Sequence, residues 1–318
     1  MKEPQKSICV INCYFGSFPV YFDLWLKSCS YNPTVDFLIY TDCQYKEKLP
    51  PNVSIKQIKL KDIKQRAEEV AGFPVSLEKA YRLCDYKPLF GEIFKSDLKN
   101  YDFWGYCDLD IIIGDIRKYV TDDMLEKYDK INRWGHLSFV RNTDECNSRY
   151  RLETERYGYK EVLTRTRDFG FDEYDYISIY KKYGFPIWIL SEDMYADIRA
   201  RYKRFRVRND NYDEQIFYWE NGSVYREYWD NDGQLKKNEY LYIHFKKRGA
   251  LPVHFDVAGD DVSAFYITSS GFYEKKEAVT KEMVKTYNPY PGKLYEKCED
   301  IKYRLKYNMY KIKRKYFE

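Results

Sequence analysis

Apolar residues along this chain fall into short runs, set apart by polar or Gly- and Pro-marked breaks. Within the runs the period switches between the two of strands and the three-to-four of helices. Residues 7 to 15 (SICVINCYF) read as a first strand, and after a Gly-Ser-Phe-Pro turn Phe22 to Cys29 read as a helix. Val35 to Tyr40 form a second expected strand, ending at Thr41-Asp42. Val53 to Ile58 form a third, and Asp62 to Ala71 a polar helix. Two helical stretches, Leu77 to Cys84 and Pro88 to Leu98, lead into the strand FWGYC at 103 to 107. Gly135 to Arg141 reads as another strand, followed by helical segments to about Tyr183 and a strand at Pro186 to Leu190. Strands alternating with helices imply an α/β fold with a mostly parallel sheet, whose ligands bind at strand carboxyl ends.

From Gln215 the texture changes. IFYWE-NG-SVYREYW places Asn-Gly between two aromatic and β-branched runs, a strong hairpin signal, and Glu239 to Phe245 are expected to continue that antiparallel portion. Beyond residue 293, Leu294, Cys298, Ile301, Leu305, Met309, Ile312 and Tyr316 recur at threes and fours, opposite a face rich in Lys and Arg. This amphipathic helix either packs on the domain or docks on an anionic membrane leaflet. Residues 285 to 318 hold ten Lys/Arg against four Asp/Glu, a net of +6. Against the +4 of the whole chain, residues 1 to 284 therefore carry −2. The basicity belongs to the tail, and the main body is a poor electrostatic match for nucleic acid. With no repeat or long linker, the organisation expected is one domain over 1 to 284 and a basic helical segment over 285 to 318.

The 318 residues are enough for a full core. Eight cysteines without a C-x-x-C pair imply reduced thiols and no zinc framework. The first apolar run is too short for a signal peptide and no window suits a membrane span, so a cytoplasmic protein, soluble or peripheral, is expected. The 35 tyrosines suit half-buried structural positions more than a row of sugar-stacking platforms.

Candidate chemistry concentrates in FWGYCDLDIIIGDI, residues 103 to 116. A carboxylate pair flanked by apolar strand residues repels itself and loses hydration, so Asp108 and Asp110 need a shared cation. Strand alternation places both on one face and Leu109 in the core. The second D-x-D, Asp230-Asn231-Asp232 before Gly233, reads as a turn, because the remainder of a calcium loop is missing.

The segment from Leu83 to Arg117, LCDYKPLFGEIFKSDLKNYDFWGYCDLDIIIGDIR, resembles a family of bacterial proteins classed as glycosyltransferase-like. More broadly, the chain resembles the GT-A fold of nucleotide-sugar transferases over approximately residues 7 to 250, with further specific likeness at GHLSFVRN and YIHFKKR. The resemblance implies a Rossmann-like, GT-A-like central sheet flanked by helices. In such enzymes manganese or magnesium bridges the D-x-D and the donor diphosphate, so Asp108 and Asp110 are the implied ligands. His244 matches the late histidine that completes the metal site, and Lys246 and Lys247 match phosphate contacts. Of the other histidines, His136 suits a hydrogen bond at a strand start and His254 has little to recommend it. An imidazole among carboxylates favours manganese over calcium.

The nucleotide is expected over the first strands, at Asn12, Tyr14, Phe15 and Gly16, where a glycine admits the ligand and a ring covers the base. Asp42 is either an acceptor for the base or ribose or a turn residue. Asp85 and Lys87 in CDYKP occupy the stretch where GT-A proteins grip the donor. Inverting transfer needs a carboxylate base; FGFDEYDY offers Asp172, Glu173 and Asp175, of which Asp172 or Glu173 is preferred, and Asn142 is placed to meet a sugar. The implied activity is transfer of a hexose from a UDP-sugar to a glycan or lipid-linked acceptor, a cell-surface precursor. The alternatives are a non-catalytic binding scaffold of the same fold or a metal-dependent nuclease or phosphatase.

Overall fold

A computed structural model describes residues 5–199, 202–246, 251–257 and 262–317, and its largest sheet includes β1 (Ile8–Tyr14) as an inner strand. Ile8 and Val10 enter one apolar layer while Cys9 and Ile11 enter the other, as strand alternation requires. β2 (Val35–Thr41) and β4 (Phe103–Cys107) flank β1 in parallel, and β3 (Val53–Gln57) lies parallel beyond β2. β7 (Leu137–Arg141) runs antiparallel beside β4, followed by β6 (Lys130–Ile131) and β8 (Ile187–Trp188). The seven strands lie in the order β3-β2-β1-β4-β7-β6-β8. The chain leaves β1 toward β2 on one side and returns to β4 on the other. A crevice therefore opens at the carboxyl ends of β1 and β4, where the order reverses.

Helices cover both faces. Trp25, Leu26 and Cys29 of the helix Phe22–Ser30 pack with Ile8 and Val10; Ile63 and Ala67 of the helix Leu60–Ala71 pack with Cys9 and Ile11. The two helices expected over 77 to 98 are instead a string of short turns, Ala80–Arg82, Leu83–Tyr86, Lys87–Leu89, Phe90–Ile93 and Lys95–Leu98. Pro88 lacks an amide hydrogen for a continuous ladder. Gly91 lies so close to Asn147 and Trp104 that a Cβ there would come within 2.7 Å of both side chains.

The antiparallel portion is a second sheet, in the order β12 (Leu235–Tyr240), β11 (Ser223–Trp229), β10 (Gln215–Glu220), β14 (Ala264–Thr268) and β15 (Gly271–Glu274). The expected hairpin forms at Asn221-Gly222, whose φ values of 47° and 87° are both left-handed. Trp219 ties this sheet to the main body by donating its indole N–H to the Ile113 carbonyl at 3.1 Å. Asp230 Oδ1 accepts from the amides of Asp232 (3.1 Å) and Gln234 (2.8 Å), so the second D-x-D is a turn.

A third sheet, β5 (Ile111–Ile113), β13 (Tyr242–His244) and β9 (Ala196–Asp197), changes two expectations. Residues 239 to 245 are not one strand: β12 ends at Tyr240, and β13 crosses over to pair antiparallel with β5 and parallel with β9. Tyr242, Ile243 and His244 are all buried, and a strand covered on both faces needs a partner on each edge. Asp108 to Asp110 are likewise a bend between β4 and β5, which belong to different sheets, rather than part of one strand.

The C-terminal helix Lys293–Phe317 is anchored through its first turns. Glu296 binds Arg204 at 3.0 Å and Arg206 at 2.6 Å, and Asp300 accepts from the Tyr202 hydroxyl. Beyond that anchor Ile301, Leu305, Met309 and Ile312 are 56 to 69 % exposed, so the apolar stripe is left uncovered by the described part of the domain. No helix among the described residues is long and apolar enough to cross a membrane.

Candidate metal and nucleotide site

The bend after β4 carries both aspartates to the crevice, and β13 delivers His244 beside them, opposite Ile111. One ligand atom from each of Asp108, Asp110 and His244 lies within 4.8 Å of the others. His244 Nε2 is 3.6 Å from Asp110 Oδ1, and its Nδ1 lies 2.9 Å from Asp197 Oδ1. An ionised carboxylate only accepts, so Nδ1 carries a hydrogen toward Asp197 and Nε2 faces the aspartates. Burial disfavours the imidazolium, but the carboxylates of Asp110 and Asp197 outweigh it and push His244 up to about 9. Two carboxylates and an imidazole, with the outer ring nitrogen fixed by a carboxylate, form a donor set that fits manganese or magnesium.

Around this cluster the charges are paired. Lys87, 6 % exposed, donates to Asp108 Oδ1 at 2.7 Å and to the Gly135 carbonyl at 2.8 Å, and lies 3.6 Å from Asp172 Oδ2. Burial alone would strip its charge, but Asp108 and Asp172 reverse that and raise its pKa well above the usual lysine range. Asp172 is raised as well: burial, opposed by Lys87, pushes it up to about 8. Asp197 falls well below the carboxylate range, because His244 and Lys246, the latter at 2.8 Å, overcome its burial. His136 stacks on His244 with centroids 4.1 Å apart, puts Nδ1 2.9 Å from the Tyr242 hydroxyl, and is held neutral by burial.

Two cavities meet here. One of about 210 Å³ is lined by Asn12, Tyr14, Phe15, Lys87, Asp108 and Asp110, at the carboxyl ends of β1 and β4. The other, about 670 Å³, contains Asp108, Lys87, His136, Asp172, Glu173, His244 and Lys246, and Tyr303 of the C-terminal helix reaches its wall. Asn12 donates to the Cys107 carbonyl at 2.7 Å, while its own Oδ1 is buried with no partner among the described residues. Gly16, at φ 109°, gives its amide to Asp42 Oδ1 at 2.8 Å, so Asp42 shapes the loop that carries Tyr14 and Phe15. Asp42 itself lines neither cavity.

Several expected residues have other engagements. Both oxygens of Asp85, 1 % exposed, are occupied, by the Arg82 guanidinium and by the amides of Phe169 (3.1 Å) and Phe171 (2.8 Å). Asp85 anchors the loop before Asp172 and stands in the wall of the larger cavity. Asn142 sits at the opposite end of β7 from the site and donates to the carbonyls of Leu98 and Tyr101 at 2.8 and 2.9 Å. Asp175 pairs with Arg156 at 2.8 Å. His254 stacks on Tyr273, outside the group of Asp108, Asp110 and His244. Lys247 lies outside the described residues. Asp197 and Trp134 were not found from sequence. Asp197 sits in a two-residue strand whose partner lies 47 positions away, and no local pattern marks such a pairing.

A family model described as "Family of unknown function (DUF6625)" matches residues 10–276. No curated protein matches the sequence. Among solved structures, the chain is similar to the galactosyltransferase LgtC in complex with donor and acceptor sugar analogs, at 10% identity over 59% of this chain and 75% of that one, with a TM-score of 0.34. It is also similar to mouse xyloside xylosyltransferase 1 in its apo form, at 8% identity over 60% and 88% of the two chains, TM-score 0.38. The glycosyltransferase GlyE of Streptococcus pneumoniae aligns at 10% identity over 60% and 47%, TM-score 0.29.

Proposed function

We propose that this protein, which belongs to the DUF6625 family, is a metal-dependent glycosyltransferase that moves a hexose from a UDP-sugar to a glycan or lipid-linked acceptor. The observation that carries this reading is the convergence of Asp108, Asp110 and His244 at the carboxyl-end crevice between β1 and β4, the kind of place where a doubly wound fold binds nucleotides. A neighbouring cavity lined by Asn12, Tyr14 and Phe15 gives a base and ribose a place beside that cluster.

In this reading Asp108, Asp110 and His244 hold manganese or magnesium, which supplies Lewis-acid stabilisation of the leaving diphosphate. Asn12, Tyr14, Phe15 and Gly16 hold the nucleoside, and Asp42 fixes their loop. Lys87 and Lys246 face the phosphates, with Lys247 next in sequence. Lys87, already bridging Asp108 and Asp172, screens the negative charge that accumulates when a diphosphate enters. Asp172 or Glu173 takes the proton of the acceptor hydroxyl. Asp172 suits that role because burial lifts its affinity for a proton into the working range of a base. The exposed apolar and basic faces of the C-terminal helix, whose Tyr303 borders the larger cavity, support peripheral contact with the cytoplasmic leaflet that carries a lipid-linked acceptor.

The test is a panel of nucleotide-sugars with manganese, scored for donor turnover, with Asp110→Asn beside the parent. Turnover that needs manganese and disappears in the variant is expected. Equal turnover in both would refute the site.

A further inference from the structure

Beside the metal cleft lies a further cavity of about 350 Å³, bounded by residues 192–197 and 207–212 and by the β11 and β12 strands. It meets the cleft at Trp134, Asp197 and Arg208, which line both. Nothing in the donor reading uses it. Its volume falls in the roughly 300–1,000 Å³ range of small-molecule sites.

One wall is aromatic and rigid. Tyr212 and Tyr228 stack with ring centroids 4.0 Å apart, and the Arg226 guanidinium lies 4.8 Å from the Tyr228 ring. Arg226 is 5 % exposed and is itself fixed, by Asn238 Oδ1 at 2.8 Å and the Asp210 carbonyl at 2.6 Å. At the junction Trp134 is locked by its indole N–H, donated to the Tyr195 hydroxyl at 2.6 Å. Fixed rings beside fixed planar polar groups suit a pyranose, whose C–H face packs on rings while its hydroxyls bond to carboxylates and amides.

Charge selects among sugars. Four carboxylates, Glu192, Asp193, Asp197 and Asp210, face two guanidiniums, Arg208 and Arg226. Glu192 is paired with Arg208 at 2.8 Å and Asp197 with Lys246 at 2.8 Å. Asp193 and Asp210 have no ion pair with any described residue. Against them stands one guanidinium without an ion pair among the described residues, Arg226, held by Asn238 and the Asp210 carbonyl. The unpaired lining is therefore net negative: its oxygens accept from neutral hydroxyls and repel an anionic ring.

We infer that this cavity is a saccharide subsite that takes a neutral pyranoside and rejects uronic acids, and that it holds the acceptor sugar at the edge of the metal cleft. The acceptor role rests on the donor reading above; saccharide binding does not. Access through Trp134 and Asp197 brings one hydroxyl of the bound ring toward the cavity that contains Asp172, Glu173 and His244.

Saturation-transfer NMR on the full chain tests it, with methyl β-D-glucopyranoside, methyl β-D-galactopyranoside and methyl β-D-glucuronide as probes. A neutral pyranoside is expected to bind and the glucuronide to fail. Tyr212→Ala and the exposed-site variant Asp193→Ala should each weaken binding by about tenfold or more, the loss of a hydrogen bond to a charged group or of a stacked ring. Absence of binding by both neutral probes, equal binding in both variants, or equal binding of the glucuronide overturns the inference. Binding of UDP with manganese to the same parent sample is measured in parallel. Saccharide binding without UDP binding would leave the subsite standing and remove the transferase reading; UDP binding without saccharide binding would do the reverse.

Discussion

His244 and Asp197 are joined at 2.9 Å through the ring nitrogen that points away from the two aspartates. That contact sets which face of the imidazole meets Asp110. It also draws in a residue from a segment that carries no recognisable motif. Replacing Asp197 by Ala removes no metal ligand but frees the ring, so manganese affinity should fall about 10- to 100-fold, as for other outer-shell carboxylates. Calorimetric titration with manganese checks this, and unchanged affinity would remove Asp197 from the site.

Lys87 is enclosed by Asp108, Asp172 and the Gly135 carbonyl. Its loss leaves two carboxylates facing each other across a buried space. Lys87→Met should therefore destabilise the fold by about 3–5 kcal/mol. Urea unfolding measures it, and adding Asp172→Asn in a double-mutant cycle should recover part of the loss.

Lys130 is fully buried, with its ammonium 3.0 Å from the Tyr106 hydroxyl and 5.1 Å from the Tyr176 ring centre. Burial, only partly offset by Asp172, pulls its pKa down to about 7. The unfolded lysine titrates near 10.4, so between pH 7 and 10 the unfolded chain binds the extra proton and stability rises with pH. Compared with Lys130→Met, the parent should gain up to about 1.4 kcal/mol per pH unit between pH 7.5 and 9. Parallel slopes for the two proteins would contradict the buried, neutral lysine.

Gly135 lies against the side chain of Asp172: a Cβ there would sit 2.2 Å from Asp172 Oδ2. Gly135→Ala must push that carboxylate away from Lys87, at a cost of about 1–3 kcal/mol typical of overpacking. A lower unfolding midpoint in urea is expected, and a midpoint equal to the parent's would show that the loop yields freely.

Short apolar runs located β1, β2, β3, β4 and β7, because a sheet covered by helices on both faces buries nearly every residue of its inner strands. The hairpin at Asn221-Gly222 was equally legible, since only a few residues accept consecutive left-handed dihedrals. Asp108 and Asp110 stood out for a related reason: charge inside an apolar run has an energetic cost that demands an explanation. Local signals did less well where tertiary contacts override them. The turns between Ala80 and Leu98 follow from Pro88 and the contact of Gly91 with Trp104, and that contact cannot be seen before the chain is folded.

The candidate site divides the same way. Strand endings and the resemblance of YIHFKKR pointed to His244, while the contacts of Asp85 in CDYKP with Arg82 and two loop amides at the cavity wall were not legible in the sequence. Composition and pattern could set the α/β class, the hairpin and the acidic pair, because each is written in residues that are neighbours along the chain. The crossing of β13 to β5, the approach of Asp197, the neutralisation by Lys87 and the aromatic cavity beside Trp134 were decided only by folding. Each joins side chains from separate segments, and burial and charge act through distance in space, which the order of residues leaves open.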